Sequence, residues 1–246
     1  MDIGIDFETD RIEGQKLIPP DVCLGVRCEG VSELRAQCEP EYLDLLEFLL
    51  GTDDHLIAHN AAFDMAVICA NYPHHIPAVW KAICDDRRVH CTIIREKLLN
   101  LTSHGSLDYI TTPDGTTSRL KYDLASMVQH YFGDDITEQK NDDDSWRVNY
   151  SELRALRAQD YPVDAARYVL DDAKYALRIF GEQELRANIQ RRERSIDPFE
   201  TESFRVACDF ALTLMSAWGI ATDDRFLERF RPCWLKLSSL RTPYCS

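Results

Sequence analysis

The sequence predicts an α/β domain followed by a helical C-terminal extension. Short apolar runs typical of strands occur near the beginning of the chain and recur up to about residue 92. Runs with apolar residues at three- and four-residue steps, typical of helices, follow several of them and continue beyond residue 200. Strands followed by helices, before a helical end, indicate this fold class.

Four segments are predicted as strands. The first, 3–7, is short, apolar and alternating, and the second, 22–28, is rich in strand-forming residues and follows a proline-containing loop. The third, 56–59, is apolar enough to be a short buried strand, and 89–92 is the fourth. We expect the first two to be neighbours in one sheet.

Five helices are predicted before residue 195. Asn60 can cap the second of them, Gly133 ends the fourth and Pro162 opens the fifth, which is the longest. The spacing of apolar residues places these helices at 41–50, 61–71, 93–101, 122–132 and 163 to about 192.

Two regions are less regular. The segment 134–149 is polar and predicted as an exposed loop, and its acidic run 141–144 is interpreted as solvated charge with no metal assigned to it. Near the end of the chain, 204–224 has helical spacing, with a stop at 218–223 and a further helix from about Arg225.

The charge of the chain limits its function. With 28 basic and 42 acidic residues, the formal net charge is -14. Such an acidic protein does not coat nucleic acid nonspecifically, because that binding depends on a basic surface. Residues 178–246 hold 11 basic and 10 acidic side chains, so residues 1–177 hold 17 and 32. We therefore expect substrate binding to be weak or assisted by a partner.

Composition also bounds location and cysteine chemistry. No apolar run approaches the roughly 20 residues that span a bilayer, and the chain begins with a strand-like segment in place of a basic leader, so we expect a soluble cytoplasmic protein. The nine cysteines are odd in number and scattered, which favours reduced thiols. A zinc site at Cys23 and Cys28 is disfavoured, because five residues apart on a strand they face opposite sides.

Polar side chains at three places have spacings that can bring them to one point. Residues two apart on a strand, or four apart on a helix, share a face. The pairs related in this way are Asp6 with Glu8 on the first strand, Asn60 with Asp64 on the second helix, and Tyr168 with Asp172 on the longest helix.

Converging carboxylates are the ligands that hard cations such as Mg²⁺ prefer. Two divalent ions about 3.5 to 4 Å apart stabilise the attacking and leaving oxygens when a phosphodiester is hydrolysed. The pattern therefore predicts metal-dependent phosphodiester hydrolysis.

Each pair is weak evidence by itself. Acidic residues two apart are expected roughly seven times by chance in a chain with 42 acidic residues. In the alternative interpretation, Asp6 and Glu8 only end a strand, Asn60 only caps a helix, and Tyr168 only packs in the core. The order of the three pairs along the chain is what favours a site.

Two competing assignments have to be weighed. Tyr131 and Asp135 have the same four-residue spacing, but they lie on either side of a predicted helix end. Asp171 competes with Asp172, and the four-residue step from Tyr168 favours Asp172.

Three segments carry a resemblance to a known family. IDFET at 5–9, HNAAFD at 59–64 and YVLDDA at 168–173 resemble, in order, the three exonuclease motifs of the DEDDy group. The chain is similar to the proofreading domain of family A DNA polymerases over about residues 1–192. The resemblance implies a ribonuclease-H-like fold with a mixed central sheet flanked by helices, and an exonuclease domain at 1–195.

The resemblance also implies roles for the catalytic residues. Asp6, Glu8 and Asp172 would bind the first of two divalent ions, Mg²⁺ or Mn²⁺. Asp6 would also reach the second ion, which Asp64 would support partly through water. Tyr168 would orient the attacking water.

The implied substrate is the 3′ end of single-stranded DNA. Thr9 and Asn60 match positions that touch the terminal nucleotide in similar enzymes, and Ile12 matches the apolar residue that wedges against its base. The implied activity is 3′-5′ exonucleolytic hydrolysis in proofreading, replication or repair.

The segment 196–246 resembles the start of a family A polymerase domain, but no palm, fingers or thumb follows it. We therefore expect a fragment, a truncated product or half of a split enzyme, with a separate polymerase subunit or polymerase domain as partner. That partner would cover apolar side chains in this segment, namely Trp218, Phe226, Phe230 and Trp234. Two alternatives remain: an RNA-trimming exonuclease of the same group, since the motifs are shared, and a catalytically silent module that binds nucleic acid or replication partners.

Overall fold

The computed structural model describes residues 1–13, 17–111, 117–136 and 146–219, and its centre is a five-stranded mixed sheet. The strands of this sheet are β1 (Asp2–Thr9), β2 (Asp21–Cys28), β3 (Val31–Ala36), β4 (His55–Ala58) and β5 (Val89–Cys91). The order is β3-β2-β1-β4-β5. β2 is antiparallel to both of its neighbours, β1 and β3, whereas β4 and β5 run parallel to β1. The predicted α/β class with a mixed sheet is confirmed.

Helices surround this sheet. They are α1 (Glu41–Gly51), α2 (Ala61–Asn71), α3 (Ile76–Trp80), α4 (Thr92–His104), α5 (Leu124–Phe132), α6 (Trp146–Asn149), α7 (Val163–Arg194) and α8 (Glu202–Trp218). Single 3-10 turns lie at Pro73–His75, Tyr150–Leu153 and Ala158–Asp160, and a π-helical turn lies at Lys81–Asp85. A separate hairpin is formed by β6 (Tyr109–Thr111) and β7 (Thr117–Arg119).

The four predicted strands and five predicted helices are present, with shifted ends. α5 begins two residues later than predicted, because the Asp123 side chain caps it by accepting a hydrogen bond of 2.9 Å from the amide of Ser126. The loop prediction for 134–149 is wrong at its end, where α6 forms. The acidic run 141–144 and the helix predicted from Arg225 lie outside the described residues.

The capping role predicted for Asn60 is wrong, although α2 begins where expected. Asn60 has a left-handed backbone, with φ 71° and ψ 46°, and its side chain makes no capping hydrogen bond. Asparagine is one of the few residues that adopt this conformation readily. The amide side chain is consequently left exposed at the start of α2.

The largest hydrophobic core lies on the face of β1 that carries Ile3 and Ile5, and it packs against α1 and α2. Three apolar side chains of α8, Val206, Phe210 and Leu214, belong to the same core. The last helix of the described residues therefore shares its core with the sheet.

A buried arginine fastens α8 to the rest of the fold. Arg95 of α4 is only 1% exposed, and its guanidinium lies 2.6 Å from a carboxylate oxygen of Glu202 and is also paired with Glu184. Its Cζ lies 4.3 Å from the ring centroid of Phe180 and 3.6 Å from that of Phe199. Because a buried charge is tolerated only with such partners, these contacts fix the start of α8.

Within the described ranges, every helix is too short or too polar to cross a lipid bilayer. Cys23 and Cys28, the pair weighed as a zinc site, are free thiols on β2, the first buried and the second partly exposed.

Candidate active site

The acidic pair on β1 faces the long helix α7. Gly4, Asp6 and Glu8 alternate along the strand and share one face, opposite the face that builds the largest core. The pairing of β1 with β2 changes register between Glu8 and Thr9. Such irregularities bend a strand and re-aim its side chains, and they are frequent next to active sites.

Two glycines let α7 lie directly against this face. A Cβ on Gly4 would be 2.3 Å from the carbonyl oxygen of Ala173, and one on Gly25 would be 2.8 Å from Cγ2 of Val169. Gly25 lies opposite Asp6 in the sheet. Ala173 follows Asp172 and Val169 follows Tyr168 in the chain. The absence of side chains on the two glycines therefore brings both of these catalytic candidates close to the sheet.

Three carboxylates meet where α7 crosses β1. Asp6, Glu8 and Asp172 each offer an oxygen, and these oxygens lie within 4.8 Å of one another. No other group of three or more His, Cys, Asp or Glu side chains in the described ranges converges in this way. Asp171 points elsewhere and pairs with Lys174 at 3.3 Å. The structure therefore brings Asp172, and not its neighbour, to the strand.

Asp64 reaches the same end of β1 from α2. Its side chain is 3% exposed, and its Oδ1 accepts a hydrogen bond of 3.1 Å from the amide of Phe7. That amide is available because β1 pairs with β4 only over its first residues, Asp2 to Gly4. The fourth carboxylate thus approaches past the end of β4.

Burial raises the pKa of Asp64 from its ordinary 3.8 to about 8. The hydrogen bond from Phe7 opposes this rise, and the negative charge of Asp172 adds to it. In the absence of a cation, burial therefore favours the protonated form of Asp64. A cation bound here would displace that proton, which couples metal binding to pH.

Tyr168 lies on α7 one turn before Asp172 and is almost completely buried. It packs in a second core, on the α7 side of the sheet, where its ring centroid lies 6.1 Å from that of Tyr150. Packing and a catalytic role are compatible here, because Tyr168 lies four residues before Asp172 and shares a face of α7 with it.

Tyr150 is a residue that sequence reasoning missed. It is fully buried, and its hydroxyl donates a hydrogen bond of 2.7 Å to the carbonyl oxygen of Ala165 in the first turn of α7. Burial raises its pKa, and the negative charges of Glu8 and Asp6 raise it further. Tyr150 therefore ties the beginning of α7 next to the carboxylates. It follows a polar stretch without periodicity, so no sequence signal marked it.

A family model for the 3′-5′ exonuclease domain of family A DNA polymerases matches residues 1–188. The match includes all four carboxylates, namely Asp6, Glu8, Asp64 and Asp172. This chain belongs to the 3′-5′ exonuclease family. Its mixed sheet and flanking helices are the ribonuclease-H-like fold of these nucleases, which hydrolyse nucleic acid. No curated protein matches the chain.

The three residues expected to touch substrate in this exonuclease lie at two places. The Thr9 hydroxyl donates a hydrogen bond of 2.9 Å to the carbonyl oxygen of Asp10, and Ile12, 54% exposed, follows in the loop after β1. Asn60 is exposed at the start of α2, one turn before Asp64. All three therefore adjoin elements that carry carboxylates.

The competing tyrosine of the exonuclease is structural. The Tyr131 hydroxyl donates to a carboxylate oxygen of Glu96 and accepts a hydrogen bond of 2.5 Å from Arg186. These contacts join α4, α5 and α7. The spacing of Tyr131 and Asp135 thus occurs outside the carboxylate cluster.

Tyr150→Phe is expected to lower kcat for nucleic-acid hydrolysis about fivefold, with a smaller change in KM. The substitution keeps the ring but removes the hydrogen bond to Ala165, which contributes roughly 1 kcal/mol to holding the first turn of α7. Tyr161→Phe is the matched control, because Tyr161 belongs to the same core and its hydroxyl lies beside Cys23. Equal kcat values for the two variants would show that Tyr150 does not position α7.

Proposed function

We propose that this exonuclease releases nucleoside monophosphates from the 3′ end of single-stranded DNA, with two divalent ions, Mg²⁺ or Mn²⁺, as cofactors. The observation that carries the proposal is the convergence of Asp6, Glu8 and Asp172 within 4.8 Å. The proposed context is proofreading, replication or repair of DNA, and the match to an exonuclease domain of DNA polymerases supports it.

The donor set fits hard divalent cations, since every candidate ligand is a carboxylate oxygen. Asp6, Glu8 and Asp172 would hold the first ion, and Asp6 and Asp64 the second, with Asp64 acting partly through water. Bound ions of this kind supply an activated water and stabilise the charge that develops on the phosphate oxygens. The chain itself holds the carboxylates together, and burial raises the pKa of Asp64, so binding of a cation there would release a proton.

Tyr168 is proposed to orient the attacking water through its hydroxyl. Its position supports this role, because α7 carries it one turn from Asp172 and the contact with Tyr150 restricts its ring. A buried tyrosine held by a neighbouring ring is preorganised, so it loses little conformational freedom when the substrate binds.

Tyr168→Phe is expected to reduce kcat by about 100-fold, within the range for loss of a group that positions a proton transfer, and to change KM much less. The ring stays in the core, so the melting temperature should stay close to that of wild type. Tyr175→Phe is the control on the same helix, since its hydroxyl bonds to Asp134 at 3.3 Å. Equal losses of turnover and of DNA binding by Tyr168→Phe would instead indicate a packing role.

Thr9, Ile12 and Asn60 are proposed to contact the terminal nucleotide. Their exposure or partial exposure beside the carboxylate-bearing elements supports this assignment. Ile12→Ser should raise KM for single-stranded DNA without changing metal affinity, as measured by Mn²⁺ titration. An unchanged KM would remove Ile12 from the substrate site.

We also propose residues 1–195 as the exonuclease domain, 196–246 as a helical extension that resembles the start of a polymerase domain, and a separate polymerase subunit or domain as partner. Exposed apolar side chains on α8 support a partner: Phe204 is 70% exposed and Trp218 54%. A basic partner would also offset the net charge of -14. Polymerase that copurifies with tagged wild type should be lost from Phe204→Ser. Retention by the variant would contradict this interface.

The activity is tested by incubating the chain with 5′-labelled single-stranded DNA or RNA, in Mg²⁺ or in EDTA, beside Asp6→Ala. A ladder of shortened DNA that requires Mg²⁺ and is lost in Asp6→Ala is the expected result. A ladder that persists in Asp6→Ala would contradict the site assignment. Faster shortening of RNA would favour the trimming enzyme, and no shortening of either substrate would favour a binding module.

A further inference from the structure

A groove lies beside the candidate active site, between α8 and the start of α2. Its volume is about 330 Å³, near the lower end of the range for small-molecule sites. Leu17, Asn60 and Phe63 line one side, and Leu212 and Ser216 of α8 line the other. The groove is therefore formed where α8 meets the part of the fold that contains the sheet.

The groove is close to the carboxylates. Asn60, which lines the groove, immediately precedes α2, and the first turn of that helix carries Asp64. Asp64 in turn bonds to the backbone of β1 at Phe7. A strand whose scissile phosphate lies at the carboxylates therefore has this groove within reach of an adjacent nucleotide.

The lining selects for a base over a phosphate. Apolar surface comes from Ile18, Phe63 and Leu212, while Thr213 offers a neutral hydroxyl. The flat faces of bases stack on aromatic side chains such as Phe63 independently of sequence, and the polar edges of bases can hydrogen-bond to neutral polar groups. The remaining lining residue, Asp209, carries a carboxylate that would repel a phosphate.

The groove is also open to solvent along α8, where Leu212 and Ser216 are exposed. An open groove suits a nucleotide whose strand continues outward, whereas a terminal nucleotide needs no exit. The openness of the groove therefore favours a nucleotide of the retained strand over the terminal nucleotide that is released.

We infer that the groove between α8 and α2 binds the base of the penultimate nucleotide, on the retained side of the scissile phosphate. This inference rests on the proposed exonuclease function and deepens it. It makes α8, which lies beyond the matched residues 1–188, part of the substrate-binding surface. The packing of Phe210 in the main core and the pairing of Glu202 with Arg95 hold that surface in place.

The test uses two matched substitutions on α8. Ser216→Trp fills the groove from an exposed position, so it does not disturb the core, whereas Ser203→Trp introduces the same side chain outside the groove. For a 5′-labelled single-stranded DNA decamer, Ser216→Trp should raise KM at least tenfold, with a smaller change in kcat. Ser203→Trp should keep the wild-type KM.

Binding is measured separately in EDTA, with 2-aminopurine at the penultimate position of the same DNA. The fluorescence of 2-aminopurine should change when the DNA binds to wild type or to Ser203→Trp. The same change should require a protein concentration at least tenfold higher for Ser216→Trp. Wild-type KM and wild-type fluorescence titration of Ser216→Trp would overturn the groove assignment. Wild-type protein that hydrolyses neither the DNA nor the p-nitrophenyl ester of thymidine 5′-monophosphate would instead contradict the proposed function.

Discussion

Gly4→Ala is expected to cost the protein about 1 to 3 kcal/mol of stability and about 100-fold in activity. The added methyl group would lie 2.3 Å from the backbone oxygen of Ala173, and a backbone atom cannot swing aside as a side chain can. α7 must then move away from β1 and take Asp172 with it. A displacement of about 1 Å at a catalytic group is enough for such a loss of rate.

Gly181→Ala, on α7 itself, is the control for this substitution. A Cβ at Gly181 meets no atom within 4 Å, so alanine should raise stability by about 0.5 to 1 kcal/mol through its better helix propensity. Gly25→Ala should be milder than Gly4→Ala, since its nearest contact is a methyl group of Val169 and its nearest backbone atom, the Val169 oxygen, is 3.0 Å away instead of 2.3 Å. Urea unfolding and single-stranded DNA hydrolysis measure both effects. Wild-type activity of Gly4→Ala would contradict the close packing of α7 on β1.

Without divalent cations, the free energy of unfolding is expected to fall as pH rises from about 4 to about 8. The unfolded chain loses the Asp64 proton near its ordinary pKa of 3.8, but the folded protein retains it up to about pH 8. Between these values the folded protein holds a proton that the unfolded chain has lost, so rising pH favours unfolding through this one group. Above pH 8 the contribution levels off, because both states are ionised.

Asp64→Asn isolates this contribution, because asparagine has a similar shape and does not ionise. In EDTA, the stability of the variant relative to wild type should be greater at pH 7 than at pH 4, by an amount on the order of a few kcal/mol. It should also hydrolyse DNA far more slowly, because the amide is a poor ligand for Mg²⁺. Urea unfolding at several pH values measures the difference. Parallel pH profiles for wild type and Asp64→Asn would show that the buried carboxyl is not protonated in the folded protein.

Most of the fold could be predicted because its elements have regular apolar patterns. The long helix α7 was predicted to within a few residues, since Pro162 opens it and apolar residues recur at helical steps along it. The strand β3 escaped prediction because its sequence, VSELRA, is polar along most of its length and it lies at the edge of the sheet. Its place becomes evident only from the pairing with β2.

The carboxylates could be predicted as candidates because the spacing of residues in a strand or helix determines which side chains share a face. The packing that brings the three elements together could not be predicted from the sequence. Nothing local marks Gly4 as the residue that admits Ala173, or marks Asp64 as a buried group bonded to Phe7. Both facts depend on contacts between segments far apart in the chain, and so does the part that α8 takes in the core.

Asp171 and Asp172 provide the most direct test of the central claim, because they are adjacent residues of the same type and only Asp172 joins the cluster. Each is replaced separately by asparagine, and Mg²⁺-dependent nucleotide release from 5′-labelled single-stranded DNA is measured. The claim predicts that Asp172→Asn lowers the rate by about 1,000-fold, as loss of a metal ligand would, while Asp171→Asn stays within severalfold of wild type. Equal rates for the two variants would contradict it.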